Sequence, residues 1–240
     1  MMKDYSLVFF LVVSSNFSDA QSLPMGTTGG SRFFLKPGAY AFVTELPPAP
    51  SETTGDYYVA NDWFQGNIIL NDSMRLEALF FKYNLKANHF EIKTEHEVKI
   101  LPGKRVIYFD WSNNQNPADG EYQRADEYEL NGTKLEGFIK IIQRGSYSLM
   151  MGLEFKIIPA NFNTALNVGE RNDKIVKEEV YYILREKKLL RVDSNKKKFT
   201  EELKKFTGYD LSQSVKLNKI NPKELEDLLI IVEELNNQES

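Results

Sequence analysis

The stretch "FQGNIILNDSMRLEALFFKYN", residues 64–84, decides the fold. Gly66 to Leu70 is a short apolar run. Asn71-Asp72-Ser73 follows, three residues whose side chains bond their own backbone and favour turns. Beyond them Met74, Leu76, Ala78 and Phe80 alternate with Arg75, Glu77 and Leu79. That period of two predicts a strand with one buried and one wetter face. The stretch therefore reads as a hairpin that needs a core on one side. Further along, Phe90 and Ile92 alternate with Glu91 and Lys93, and Val98 and Ile100 flank Lys99. Pro102-Gly103 forces a turn, and Arg105 to Trp111 is a β-branched and aromatic run. The prediction is a meander of antiparallel strands joined by tight turns.

The rest of the 240-residue chain extends this pattern. Residues 1–20 read as a secretory signal: Leu7 to Val13 is a short apolar stretch, and Ser18-Asp19-Ala20 sets up cleavage before Gln21. Residues 21–55 are rich in Pro and Gly and read as an extended segment, with "FFLKPGAYAFV" as a candidate edge hairpin. Residues 56–193 carry the β domain. Within it residues 112–125 read as a polar loop, Asn131-Gly132 is the strongest hairpin signal, and Glu186-Lys187 marks another turn. From residue 194 the period becomes helical. Phe199, Leu203 and Phe206 follow a Ser194-Asn195 cap. A last helix starts at Asn221-Pro222 with Glu224 reaching back, and Leu225, Leu228, Leu229, Val232 and Leu235 form its apolar stripe. The fold class expected is mainly β: an antiparallel meander forming a sandwich or a partly closed barrel, with residues 194–240 as two C-terminal helices packed on it.

Composition narrows the chemistry. The chain has no cysteine, which excludes disulfides, thiolate metal sites and cysteine nucleophiles. A formal net charge of −4 argues against a nucleic-acid partner. No segment outside the short leader approaches the ~20 apolar residues a membrane helix needs.

Two segments carry a resemblance. "YVANDWFQGNIILNDSMRLEALFFKYNLKANHFEIK", residues 58–93, and the "YYI…KLLRV…KKK" pattern within residues 181–235 resemble secreted proteins of unknown function of the Bacteroidetes type. The resemblance implies export, a β-rich body and two C-terminal helices. It implies no catalytic residue.

Candidate chemistry is sparse. His89 and Glu91 fall on one face of a strand and could reach one ion, whereas His96 points elsewhere; no metal or other cofactor is expected from this spacing. No Gly-x-Ser-x-Gly elbow and no glycine-rich phosphate loop occurs. Asp110, Asp119, Glu121, Asp126 and Glu127 gather around the polar loop with Trp111 and Tyr122. Aromatic rings beside carboxylates suit a carbohydrate-contacting surface, so Trp111, Tyr122, Asp119 and Glu121 are the candidate binding residues. Residues 185–199 are basic and the last helix is acidic, which reads as two solvated faces or as a patch for a partner. The expected function is an exported, non-enzymatic binding or structural protein of the bacterial envelope, meeting another envelope protein or a glycan. The alternatives are a barrel holding a small apolar ligand, motivated by Phe64, Phe80, Phe81, Tyr83, Phe90, Tyr108 and Phe109, and a carboxylate-dependent glycan hydrolase.

Overall fold

The structure is a computed structural model and describes residues 44–45, 53–111, 118–162 and 166–239. The expected signal, its cleavage site and the "FFLKPGAYAFV" hairpin lie outside the described residues.

The opening stretch forms a hairpin, as its pattern dictates. Strands β3 (Phe64–Leu70) and β4 (Arg75–Asn84) pair antiparallel around the Asn71–Ser73 turn. There Ser73 takes a positive φ and the Met74 amide donates to Asp72 Oδ1 at 3.1 Å. The face of β4 differs from the simple alternation. Leu76 points inward, but further along it is Leu79, Phe81 and Tyr83 that are buried, not Ala78 and Phe80. The cause is a β-bulge. Glu77 and Ala78 together oppose Asn67, and Ala78 sits at φ 55°. An extra residue on one strand flips every later side chain to the other face. The Asn67 side chain holds the bulge: its Oδ1 accepts the Ala78 amide and its Nδ2 donates to Asp110 Oδ1. Gly66 next door admits the neighbouring strand, because a Cβ there would lie 2.0 Å from the Asp110 carbonyl oxygen.

The meander continues through β5 (His89–Lys93), β6 (Val98–Pro102), β7 (Val106–Trp111) and β8 (Gly120–Arg124). Strand β8 lies inside the stretch read as a loop. Its polar Glu121 and Gln123 alternate with a single buried ring, Tyr122, too weak a pattern to stand out. Next come the short hairpin β9 (Glu129–Leu130) and β10 (Thr133–Lys134), then β11 (Phe138–Gln143), β12 (Tyr147–Ile158), β13 (Asp173–Arg185) and β14 (Lys188–Arg191). Asn131 and Gly132 turn the β9–β10 hairpin, both with positive φ, as the Asn-Gly signal predicts. Two short segments flank the sheet: β1 (Thr44–Glu45) pairs with β6, and β2 (Thr53–Thr54) with β13.

Among the described residues all strands belong to one sheet, ordered β1-β6-β5-β4-β3-β7-β8-β11-β12-β13-β14-β9-β10, with β2 off this path. The pairing is antiparallel except β2 on β13 and β9 on β14. The sheet is not closed into a barrel. It is nevertheless coiled. Strands β5 and β11 stand five steps apart in the sheet, ~24 Å at the usual strand spacing, yet the rings of Phe90 and Phe138 lie 5.3 Å apart. Coiling brings Phe81, Tyr83, Phe90, Phe109, Trp111, Tyr122 and Phe138 into one aromatic core. Those rings fill the inside of the coil. The closed barrel that the apolar-ligand alternative assumes is not formed by this sheet. Phe81, Tyr83, Phe90 and Phe109 are packed against one another, while Phe80 and Tyr108 fall outside this core.

The C-terminal segment holds the two expected helices, α1 (Lys196–Thr207) and α3 (Leu225–Glu239), with a short helix α2 (Ser212–Leu217) between them. Asn195 caps α1, accepting the amides of Lys197 and Lys198, and Gly208 ends it in the left-handed region. Asn221 and Glu224 bond each other as the sequence suggests, but they close a turn ahead of α3, which begins at Leu225. Leu228, Ile231, Val232 and Leu235 of α3 pack with Phe199 and Leu203 of α1 on Tyr147, Leu149 and Ile183 of the sheet. The opposite face of β12 and β13 is covered by a third cluster around Ile139, Met150 and Tyr182.

Candidate functional site

The four residues expected to contact sugar do not form a surface together. Trp111 and Tyr122 are 1% and 3% exposed, their rings 5.5 Å apart in the aromatic core. Neighbouring residues on a strand face opposite ways. Glu121 therefore projects outward and pairs with Arg144 at 2.5 Å, away from the Tyr122 ring. Asp119 is half-buried just before β8. The aromatic half of the expected surface is thus interior.

The carboxylates do come together on the outer face. Asp110 of β7 stands directly opposite Glu121 of β8. Burial, and then the charge of Glu121, push the Asp110 carboxyl up, against the hydrogen bond from Asn67. Tyr108 on the same face is raised to about 12, first by burial and then by these two acids.

A second polar cluster lies on the outer face of β4 and β5. His89 and Glu91 share that face as their spacing predicts, with His89 Nε2 3.5 Å from Glu91 Oε1, and both are buried. The Tyr58 hydroxyl donates to the same carboxylate oxygen. Lys82, cross-strand from Glu91, places its ammonium 5.0 Å from the Trp63 ring. His96 sits apart in an exposed turn. Among the described residues no three His, Cys, Asp or Glu side chains gather as a metal site would need. Burial would raise the Glu91 carboxyl, but its contacts with His89 and Tyr58 outweigh that and hold it below the ordinary range.

A depressed carboxylate contributes stability above its unfolded pKa of ~4.3, and loses it as pH falls through the lower folded value. Glu91→Gln should therefore cost about 1–3 kcal/mol at neutral pH, the range for hydrogen bonds to a buried charge. The difference from wild type should shrink steadily below about pH 4. Urea unfolding of both proteins at several pH values checks this; a gap that persists undiminished at acid pH would assign the cost to packing instead.

A groove lies elsewhere, between β13, β14, α1 and the turn before α3. Its volume is about 1000 Å³. Tyr181, Leu190, Val192 and Phe206 give it an apolar floor, and the Asn131 turn stands at one rim. The helix side of the groove carries Lys198, Glu202 and Lys205 on one face of α1. Four acids (Glu178, Glu179, Asp193, Glu202) face four bases (Arg191, Lys198, Lys205, Lys223) around it. That balance disfavours a polyanion as occupant. It also resolves the basic run at 185–199. Arg185 pairs with Glu239, Arg191 with Glu154, and Lys198 with Asp193 and Glu202, so the run forms no uniform patch.

The sequence marks parts of this groove, among them Asn131, Phe206, Pro222 and the basic run at 185–199, but only as turns, helix signals or a charged stretch. The groove's parts are up to 93 positions apart in sequence, from Leu130 to Lys223, and only the folded sheet assembles them. Together, fold and groove define a coiled antiparallel sheet with a helical cap and a peptide-sized cleft at the junction. No family model, no curated protein and no solved structure matches this chain. No helix among the described residues is long and apolar enough to cross a membrane.

Proposed function

We propose that this chain is an exported, non-enzymatic binding protein of the bacterial cell envelope, and that the groove over β13 and β14 takes a segment of another envelope protein. The observation that carries the reading is the groove itself: an apolar floor of Tyr181, Leu190 and Phe206 under a rim of mixed charge. Such a cleft suits an extended or helical peptide, whose side chains bring both apolar anchors and charges of either sign. A glycan is better served by exposed flat rings, and the two rings expected to supply them, Trp111 and Tyr122, are interior. Export rests on the leader-like residues 1–20, with cleavage before Gln21.

Charge reversal on the rim tests the assignment. Lys205 is exposed, so Lys205→Glu should leave the melting temperature unchanged. It should weaken capture of an envelope protein by about tenfold, the effect of ~1.4 kcal/mol at a rim ion pair. Capture unchanged by Lys205→Glu and by Glu202→Lys would move the binding surface away from the groove. Turnover of an envelope glycan by the purified protein would replace the reading with the hydrolase alternative.

A further inference from the structure

The longest hairpin of the sheet outruns its neighbours. Strand β11 pairs with β12 only at Leu149, Met150 and Met151. Beyond that, Gly152–Ile158 is hydrogen-bonded to β13 alone, through an unbroken register that ends at Ile158 opposite Lys174. Among the described residues no other strand pairs with this edge. Ile157 and Ile158 are each 45% exposed. A row of unpaired backbone groups beside exposed isoleucines is a template for another strand, and natural proteins usually break such edges up.

The residues along this edge are self-complementary. The sequence from 152 to 158 is GLEFKII. If it is turned antiparallel to itself about Phe155, Leu153 meets Ile157, Glu154 meets Lys156, and Gly152 meets Ile158. The two halves of the strand are thus apolar against apolar on one face and acid against base on the other. A lone lysine on an edge repels a second copy, whereas in this register each Lys156 is met by a Glu154. Both residues are exposed. Within one chain they already lie in charged ladders, Glu154 with Arg191 and Lys156 with Glu178. The new pairs would extend those ladders across the axis. We infer that two copies of this chain associate by antiparallel pairing of their Gly152–Ile158 edges about a two-fold axis at Phe155. The interface is isologous, as closed dimers require. Seven residues a side is below the 20–30 typical of stable complexes, so the dimer should be concentration-dependent rather than permanent. This inference does not rest on the groove, which lies on the other side of β13.

Sedimentation velocity of the full chain over a concentration series tests it. Wild type should shift from monomer to dimer. Lys156→Glu alone and Glu154→Lys alone each set like charges opposite at both pairs, and each should weaken self-association about tenfold or more. An equimolar mixture of the two variants restores acid-to-base pairing and should regain the dimer. Because the chain has no cysteine, one introduced thiol reports the register. Phe155→Cys should cross-link to itself on mild oxidation, and Ile158→Cys, which faces Gly152, should do so far less. Wild type that stays monomeric, single variants that associate as wild type does, a mixture that fails to recover, or equal cross-linking at 155 and 158 would each overturn the inference.

Discussion

Replacing Leu228 with alanine should lower the unfolding free energy by about 2–5 kcal/mol, the cost of a lost side chain plus the cavity it leaves. Leu228 is 0% exposed and lies where α3 meets both α1 and the sheet. A fifteen-residue helix is marginal alone, so its docking must come from that stripe. Ile230 on the opposite side of the helix is 44% exposed, and Ile230→Ala should cost well under ~1 kcal/mol. Denaturant unfolding of the two variants side by side separates them. Equal costs would mean that Ile230 is covered by something else, and a Leu228→Ala protein as stable as wild type would mean that α3 does not hold the sheet.

The second large effect is expected at Phe109. Its ring touches six others, those of Phe81, Tyr83, Phe90, Trp111, Tyr122 and Phe138, at centroid distances from 4.5 to 5.8 Å. Phe109→Ala should cost about 3–5 kcal/mol. Trp111, 5.1 Å away, gives the readout, since its fluorescence reports the same cluster. A cost below ~1 kcal/mol would show that the coil is not filled by its own rings, and the apolar-ligand reading would return.

Much of this fold is legible in the sequence because it depends on local pattern. The turn at Asn71–Ser73, the Asn131-Gly132 hairpin and the Asn195 cap each follow from what a side chain does to its own backbone. Other features follow from tertiary contacts and leave no such trace. The bulge at Ala78 depends on Asn67, a residue on another strand, and so the inward face of β4 past that point cannot be read from alternation. Strand β8 is polar because one of its faces is wet, and the composition of a wet strand is that of a loop. Helix α2 has six residues and no side-chain cap; it is held by the burial of Leu211 and Val215.

The candidate site divides in the same way. The shared face of His89 and Glu91 follows from their spacing. So does the separation of Trp111 from Asp110 in the β-branched and aromatic run, since adjacent strand residues cannot line one surface. The interior position of Tyr122 emerges only with β8, because the stretch that holds it reads as a loop. The groove is different, because it joins β9, β13, β14, α1 and the turn before α3, and no short motif spans them.

The binding reading is tested most directly by photo-cross-linking from the groove rim. A photoreactive side chain at position 202, in place of Glu202, points from α1 into the cleft. In envelope preparations a discrete adduct with a protein is expected, competed away by unlabelled chain and reduced about tenfold in yield when Lys205→Glu is added. Adducts confined to glycan, or labelling that unlabelled chain does not compete, would contradict it.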